Sequence, residues 1–220
     1  MHTTDVPPIS ENLVPGSGKL YFFFGGIIGA IGMPPFEFYQ SAQILNCSRI
    51  FLRDPYQSWY QRGLPTVGND AFAIGNYLKA MIMESGASQI YFVGNSMGGF
   101  AALLFCSMLR CGRAIAFAPQ TFVSQDKRLD FGDLRWAPKI ESMHKNCTAS
   151  HIYDLKIWIQ DQFPELRASV YVSTADILDM RHAKQLEGFA NIDINHYPDA
   201  GHTLVRWLRD EGMLSQILKG

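Results

Sequence analysis

Long hydrophobic runs, excess charge of either sign, paired cysteines and repeats are all missing from this 220-residue chain. The longest apolar stretch near the start, Leu20 to Met33, covers about 14 residues and is broken by Gly25, Gly26, Gly29 and Gly32, which is too short and glycine-rich for a spanning helix. Met1 to Gly18 is polar and lacks a basic start followed by an apolar segment, so no secretory signal is expected. The 19 basic and 20 acidic residues nearly cancel, which leaves no electrostatic reason for binding nucleic acid or an anionic membrane. A small molecule or a protein surface is the expected partner. The four cysteines, Cys47, Cys106, Cys111 and Cys147, form no Cys-x-x-Cys pair and have no histidine at zinc-site spacing, so no metal is expected. Cys106 and Cys111 fall on an apolar helical pattern and read as core or near-core thiols, which suits a reducing cytoplasm.

What is present is a 47% hydrophobic composition, enough for one domain with a large core. Short β-rich apolar runs occur at Leu20 to Phe24, Arg49 to Leu52, Gln89 to Val93, Arg113 to Ala118, Ser169 to Val172 and Ile192 to Tyr197. Helical patterns fall at Phe36 to Leu45, Asp70 to Ser85, Met97 to Arg110, Arg181 to Phe189 and Thr203 to Leu218. Strands apolar on both faces, separated by helices, predict an α/β protein: a mostly parallel central sheet covered by helices on both faces. Between Pro119 and Pro164 the rhythm fails, with helix-like stretches near Lys139 to His144 and Ile152 to Asp161 but no strand. An insertion of that length in a compact domain usually serves a purpose, so residues 120–164 are expected to form a small lid within a single domain spanning 1–220.

The chemistry-bearing motif is Gly94-Asn95-Ser96-Met97-Gly98, placed after an apolar strand and before an apolar helix. A serine hydroxyl is a weak nucleophile until a base takes its proton and donors stabilise the resulting oxyanion. Glycines at 94 and 98 allow strand and helix to approach each other around a strained serine. On these residues the chain resembles the α/β-hydrolase family from about Lys19 to Leu218, and the resemblance implies a triad in the order Ser, acid, His.

The family's strand, small-residue turn and acid fall on Ser169-Val-Tyr-Val-Ser-Thr-Ala-Asp176. Asp176 is therefore expected to be the acid, with Asp179 as its rival; Asp179 stands open instead as the cap of the helix near Arg181. Gly201-His202, between the last strand and the C-terminal helix, matches the family's Gly-His and makes His202 the expected base. His196, inside a strand, reads as structural; His144 and His151 belong to the lid, facing solvent or the pocket. The oxyanion donors are expected to be the N–H groups of Met97 and of Gly26, with Ile27 as the alternate, from a Phe24-Gly25-Gly26 loop that departs from the family's His-Gly-Gly.

Ile27, Ile28, Ile31 and Met33 after that loop, with Tyr56, Trp59 and Tyr60 after the third run and Phe122 and Trp136 in the lid, form either an acyl-binding pocket or core. Ile27, Tyr56 and Trp136 stand as the substrate-binding candidates. Arg53 and Asp54, at the end of a parallel strand, either read a polar group or form a structural ion pair. The resemblance implies a serine hydrolase acting on an ester or thioester, small or carrier-bound, without a cofactor. Transfer of the acyl group to an alcohol or amine, and a relative that only binds a ligand, are the alternatives.

Overall fold

The computed structural model describes residues 6–27, 36–147 and 152–219. In chain order its elements are β1 (Ile9–Asn12), β2 (Lys19–Phe24), β3 (Ser48–Leu52), α1 (Ala71–Ser85), β4 (Gln89–Asn95), α2 (Met97–Leu109), β5 (Arg113–Phe117), α3 (Gln125–Phe131), α4 (Ala137–Asn146), α5 (Leu155–Gln162), β6 (Ala168–Ser173), α6 (Ile177–Lys184), β7 (Ile192–Tyr197), α7 (Leu204–Asp210) and α8 (Leu214–Lys219).

Side chains along a strand alternate between its two faces, so a strand apolar throughout must be covered twice. In β2 the two sets part cleanly. Leu20, Phe22 and Phe24 join one core with α1, α2 and the helices between β5 and β6. Tyr21 and Phe23 join a second core with Leu204, Leu208, Leu214 and Leu218 of α7 and α8. β3 and β5 divide the same way, with Ile50, Leu52, Ala114 and Ala116 on the first face and Phe51, Ile115 and Phe117 on the second.

The seven strands lie in the order β1-β3-β2-β4-β5-β6-β7. All neighbours are parallel except β1, which pairs antiparallel with β3, Ile9 opposite Leu52. From β2 the chain runs outward to β3 and then returns to β4 on β2's other side, so the strand order reverses between β2 and β4. In such sheets ligands bind outside the carboxyl ends of the strands at that reversal. The carboxyl ends there are Phe24 of β2, which pairs with Gly94, and Asn95 of β4.

Several boundaries differ from expectation. The segment expected as a helix over 36–45 is largely turn, with a 3-10 helix at Ser41–Ile44. The C-terminal helix is two, because Gly212 adopts φ 71° and ends the first. β1 was not expected: it is four residues, ISEN, with no core pattern of its own, and it exists by pairing along β3. α3 was likewise unexpected. No helix among the described residues is long and apolar enough to cross a membrane.

Candidate active site

Ser96 stands at the end of β4, and its backbone (φ 54°, ψ −114°) lies in a region that non-glycine residues rarely adopt. That conformation costs about 1–3 kcal/mol and persists only where the surroundings over-determine it. They do so here. The Ser96 N–H donates to the Phe117 carbonyl at 2.9 Å, and its own carbonyl accepts from the N–H of Phe100 at 3.0 Å. A Cβ on Gly94 would overlap the Gly98 carbonyl, and one on Gly98 would overlap the carbonyl of Phe24. Both glycines are thus required for close approach, as the motif predicted.

His202 follows β7 in a 3-10 turn, Gly201–Thr203, that begins with Gly201 at φ 55°. Its Nε2 lies 3.2 Å from Ser96 Oγ and its Nδ1 lies 2.7 Å from Asp179 Oδ2. The acceptor on Nδ1 is a carboxylate, so the proton sits on Nδ1 and Nε2 is the free acceptor for the serine hydroxyl. Burial opposes the charged imidazole, but the hydrogen bond and charge of Asp179 outweigh it and raise the His202 pKa; Arg135 pulls it down and Asp176 adds to the rise.

The expected acid, Asp176, does not meet His202. Its carboxylate accepts the N–H groups of Leu178 and Asp179, both at 3.0 Å, and so caps the N-terminus of α6. The two aspartates have exchanged their expected duties. α6 begins at Ile177 rather than near Arg181, so the residue one turn into the helix is the one that points at the histidine. Asp179 is fully buried, whereas the Asp176 side chain is 23% exposed.

The N–H of Gly26, expected to be an oxyanion donor, donates to Glu37 Oε2 at 2.8 Å, and Glu37 Oε1 accepts from Asn95 Nδ2 at 2.8 Å. Burial pushes the Glu37 carboxyl above the usual range, against the pull of Gly26, Asn95 and the His202 charge. Met97 opens α2, where first-turn N–H groups lack an intrahelical partner. Ile27 packs half-buried against the first core.

Among the pocket candidates, Trp59, Tyr60 and Phe122 are core residues. The Tyr60 hydroxyl donates to the Gly25 and Leu52 carbonyls, both at 3.1 Å, which ties down the loop that carries Gly26. Tyr56 is exposed beneath the Arg62 guanidinium, 4.4 Å from its ring centroid. Trp136 is half-buried, next in sequence to Arg135. Ile28, Ile31, Met33 and His151 lie outside the described residues. Asp54 serves as a turn anchor, accepting the N–H groups of Tyr56, Ser58 and Tyr60. His196 is exposed, and His144 Nε2–H donates to the Val123 carbonyl at 2.9 Å. Cys106 is buried and Cys111 half-buried, both as free thiols.

Three residues of the site carried no sequence signal. Glu37 lies in a stretch read as helix, and Arg135 in the insertion has no motif. Ser173, at the end of β6, accepts the N–H groups of Ala175, Ala200 and Gly201 and so joins the loop carrying Asp176 to the loop carrying His202. Asp176, Asp179 and His202 offer ligand atoms within 4.8 Å of one another. The Arg135 guanidinium, 2.8 Å from Asp179 and 3.9 Å from Asp176, already supplies the positive charge there, so the group does not fit a metal ion.

No family model and no curated protein matches the chain in sequence. In structure it is similar to a capsule O-acetyltransferase of Neisseria meningitidis serogroup A, at TM-score 0.66 and 14% identity over 96% of this chain and 93% of that one. A monoacylglycerol lipase of Paleococcus ferrophilus gives 0.58 and 12% over 95% and 96%. A carboxylesterase of Nitrososphaera gargenis gives 0.58 and 12% over 96% and 94%. The protein has the α/β-hydrolase fold.

Proposed function

We propose that the protein cleaves a carboxylic ester or thioester through an acyl-enzyme on Ser96. The observation that carries this reading is the hydrogen-bonded series Ser96, His202, Asp179, with the serine held at a strained strand-to-helix turn. Ser96 Oγ attacks the acyl carbonyl while His202 Nε2 takes the hydroxyl proton. Asp179 keeps the imidazole in the required tautomer and stabilises the imidazolium. Collapse of the tetrahedral intermediate breaks the bond to the leaving alcohol or thiol, which departs with the proton from His202. Water, deprotonated by the same nitrogen, then attacks the acyl-serine and releases the acid.

The oxyanion is received by the N–H groups of Met97 and Gly26, each contributing on the order of 3 kcal/mol in the transition state. For Gly26 to act, the Glu37 carboxyl must yield its hydrogen bond to the substrate oxygen. The helices between β5 and β6 cover the site, and Ile27 and Trp136 border the acyl group, while Tyr56 lies toward the entrance. The acyl donor is a small molecule or is held on a carrier. Free thiols at all four cysteines suit a reducing compartment, and we place the enzyme in the cytoplasm.

Likeness to an O-acetyltransferase favours a second reading, in which the same acyl-serine passes its acyl group to a hydroxyl acceptor instead of water. A thioester offered with and without a polyol separates the two: acyl-polyol forming faster than free acid favours transfer. The test of the shared step is intact-mass measurement after fluorophosphonate treatment. The protein is expected to gain one adduct, Ser96→Ala none, and His202→Ala an adduct at least about 100-fold more slowly. A folded parent protein that gains no adduct at Ser96 overturns the reading.

A further inference from the structure

Arg135 lies between α3 and α4, on the insertion rather than on the sheet that carries the serine, yet its guanidinium ends on Asp179. Nη1 lies 2.8 Å from Asp179 Oδ1, while Nη2 and Nε lie 2.8 and 3.0 Å from Asp133 Oδ2 and Oδ1. Asp133 is held in turn by His182 Nε2 at 2.9 Å, and His182 Nδ1 receives the Thr121 N–H at 3.0 Å. A backbone N–H only donates, so His182 is the neutral Nε2–H tautomer and the carboxylate it meets is ionised. Arg135 is therefore seated in a fork between two carboxylates, Asp179 on α6 and Asp133, which His182, one turn further along the same helix, holds in place.

We propose that Arg135 is a positioning residue that acts through Asp179, fixing the rotamer in which that carboxylate meets His202. The proposal rests on the reading of Ser96, His202 and Asp179 as the reacting series. Asp179 is fully buried and uses its two oxygens for two partners, Oδ1 for Arg135 and Oδ2 for His202. Loss of the guanidinium leaves the buried Oδ1 without its cationic partner, so the imidazole alone holds the carboxylate, which is no longer fixed in one rotamer.

The charge argument runs in parallel. The groups facing His202 are Asp176 and Asp179 from α6, Arg135 from the insertion and Glu37 from the segment after β2. Asp176 and Asp179 favour the imidazolium, and Arg135 opposes it. Without Arg135 the imidazolium is favoured by unopposed carboxylates, and the neutral base appears only at higher pH. The acid limb of the rate profile therefore moves upward when the guanidinium is removed. A residue that only braces the fold would lower the melting temperature and leave the limb where it was.

The experiment follows the rate of Ser96 modification by a fluorophosphonate, and of p-nitrophenyl ester hydrolysis, across about pH 5 to 9 for the parent protein, Arg135→Met and Arg135→Lys. Arg135→Met is expected to shift the acid limb up by about one unit and to lower kcat at least about tenfold, with KM changed less than about threefold. Arg135→Lys keeps the charge but not the planar fork, so it holds the limb near that of the parent protein while kcat falls. Circular dichroism establishes which variants are folded. A folded Arg135→Met with an unshifted limb and unchanged kcat overturns the proposal. Should that variant not fold, Arg135→Lys decides: parental kcat overturns the positioning role, and a lower kcat on an unmoved limb supports it. A parent protein without a Ser96 adduct overturns the underlying reading as well.

Discussion

At the residue scale, two aspartates three positions apart have the same chemistry and opposite duties. Asp176 satisfies backbone donors at a helix start, while Asp179, one turn further, is buried against His202 and Arg135. Asp179→Asn removes the charge that stabilises the imidazolium and lets the amide present a donor to Nδ1, which reverses the tautomer. Ester hydrolysis is expected to fall at least about 1000-fold. Asp176→Asn retains a capping oxygen and is expected to lose less than about tenfold in rate and under about 1 kcal/mol in stability. Steady-state rates on a p-nitrophenyl ester with urea unfolding in parallel check both; a larger rate loss in Asp176→Asn would return the acid to that position. The serine, the histidine and the two glycines were legible because each is bound to its neighbours in sequence. The carboxylate that meets His202 was not, because its identity depends on where α6 starts, and Asp-Ile-Leu-Asp offers two helix starts of nearly equal merit.

At the scale of elements, the turn from β4 into α2 places the helix backbone against the end of β2. α2 is buried on all sides from Met97 to Ser107, because Gly98, Gly99, Ala101 and Ala102 let it lie on the sheet while Phe100, Leu103, Leu104 and Phe105 fill the space around it. Gly98→Ala is expected to force the helix away from the Phe24 carbonyl, since the added methyl group would overlap the backbone of Phe24 and Gly25. We expect a loss of about 2–4 kcal/mol in urea unfolding together with loss of Ser96 labelling. A variant as stable and as readily labelled as the parent would show that the close approach is not needed. Most strands and the long helices were legible from periodicity, because each carries its own apolar pattern. β1 and the 3-10 turn at Ser41–Ile44 were not, as both owe their form to β3 and the second core.

At the scale of the whole molecule, the interior holds ionisable groups that make stability depend on pH. Burial lowers the His182 pKa despite Asp133, and His182 and Arg135 together overcome burial to hold Asp133 well below the usual carboxylate range. For both groups the folded value lies beneath the unfolded one, so the unfolded chain binds more protons between the two. Their stabilisation is complete above the unfolded pKa and is lost as pH falls, first below about 6.5 for His182 and then below about 3.9 for Asp133. His202, whose pKa is raised, contributes in the opposite sense: its share is complete below about 6.5 and declines as pH rises. His182→Gln is expected to melt lower than the parent protein at pH 7, and the difference between the two to shrink between about pH 6.5 and 4.5 as the His182 contribution is lost. Equal slopes in the two proteins would remove His182 from this account. The sequence by itself determined the alternating, doubly buried strands, the serine at its glycine-flanked turn and the histidine after the last strand, because each is a local pattern. Only the tertiary structure decided which aspartate meets the histidine, that Glu37 holds the Gly26 N–H, and that Arg135 reaches the acid from the insertion. Those contacts join residues 11 to 44 positions apart, and only the packing of distant segments brings them within hydrogen-bonding distance.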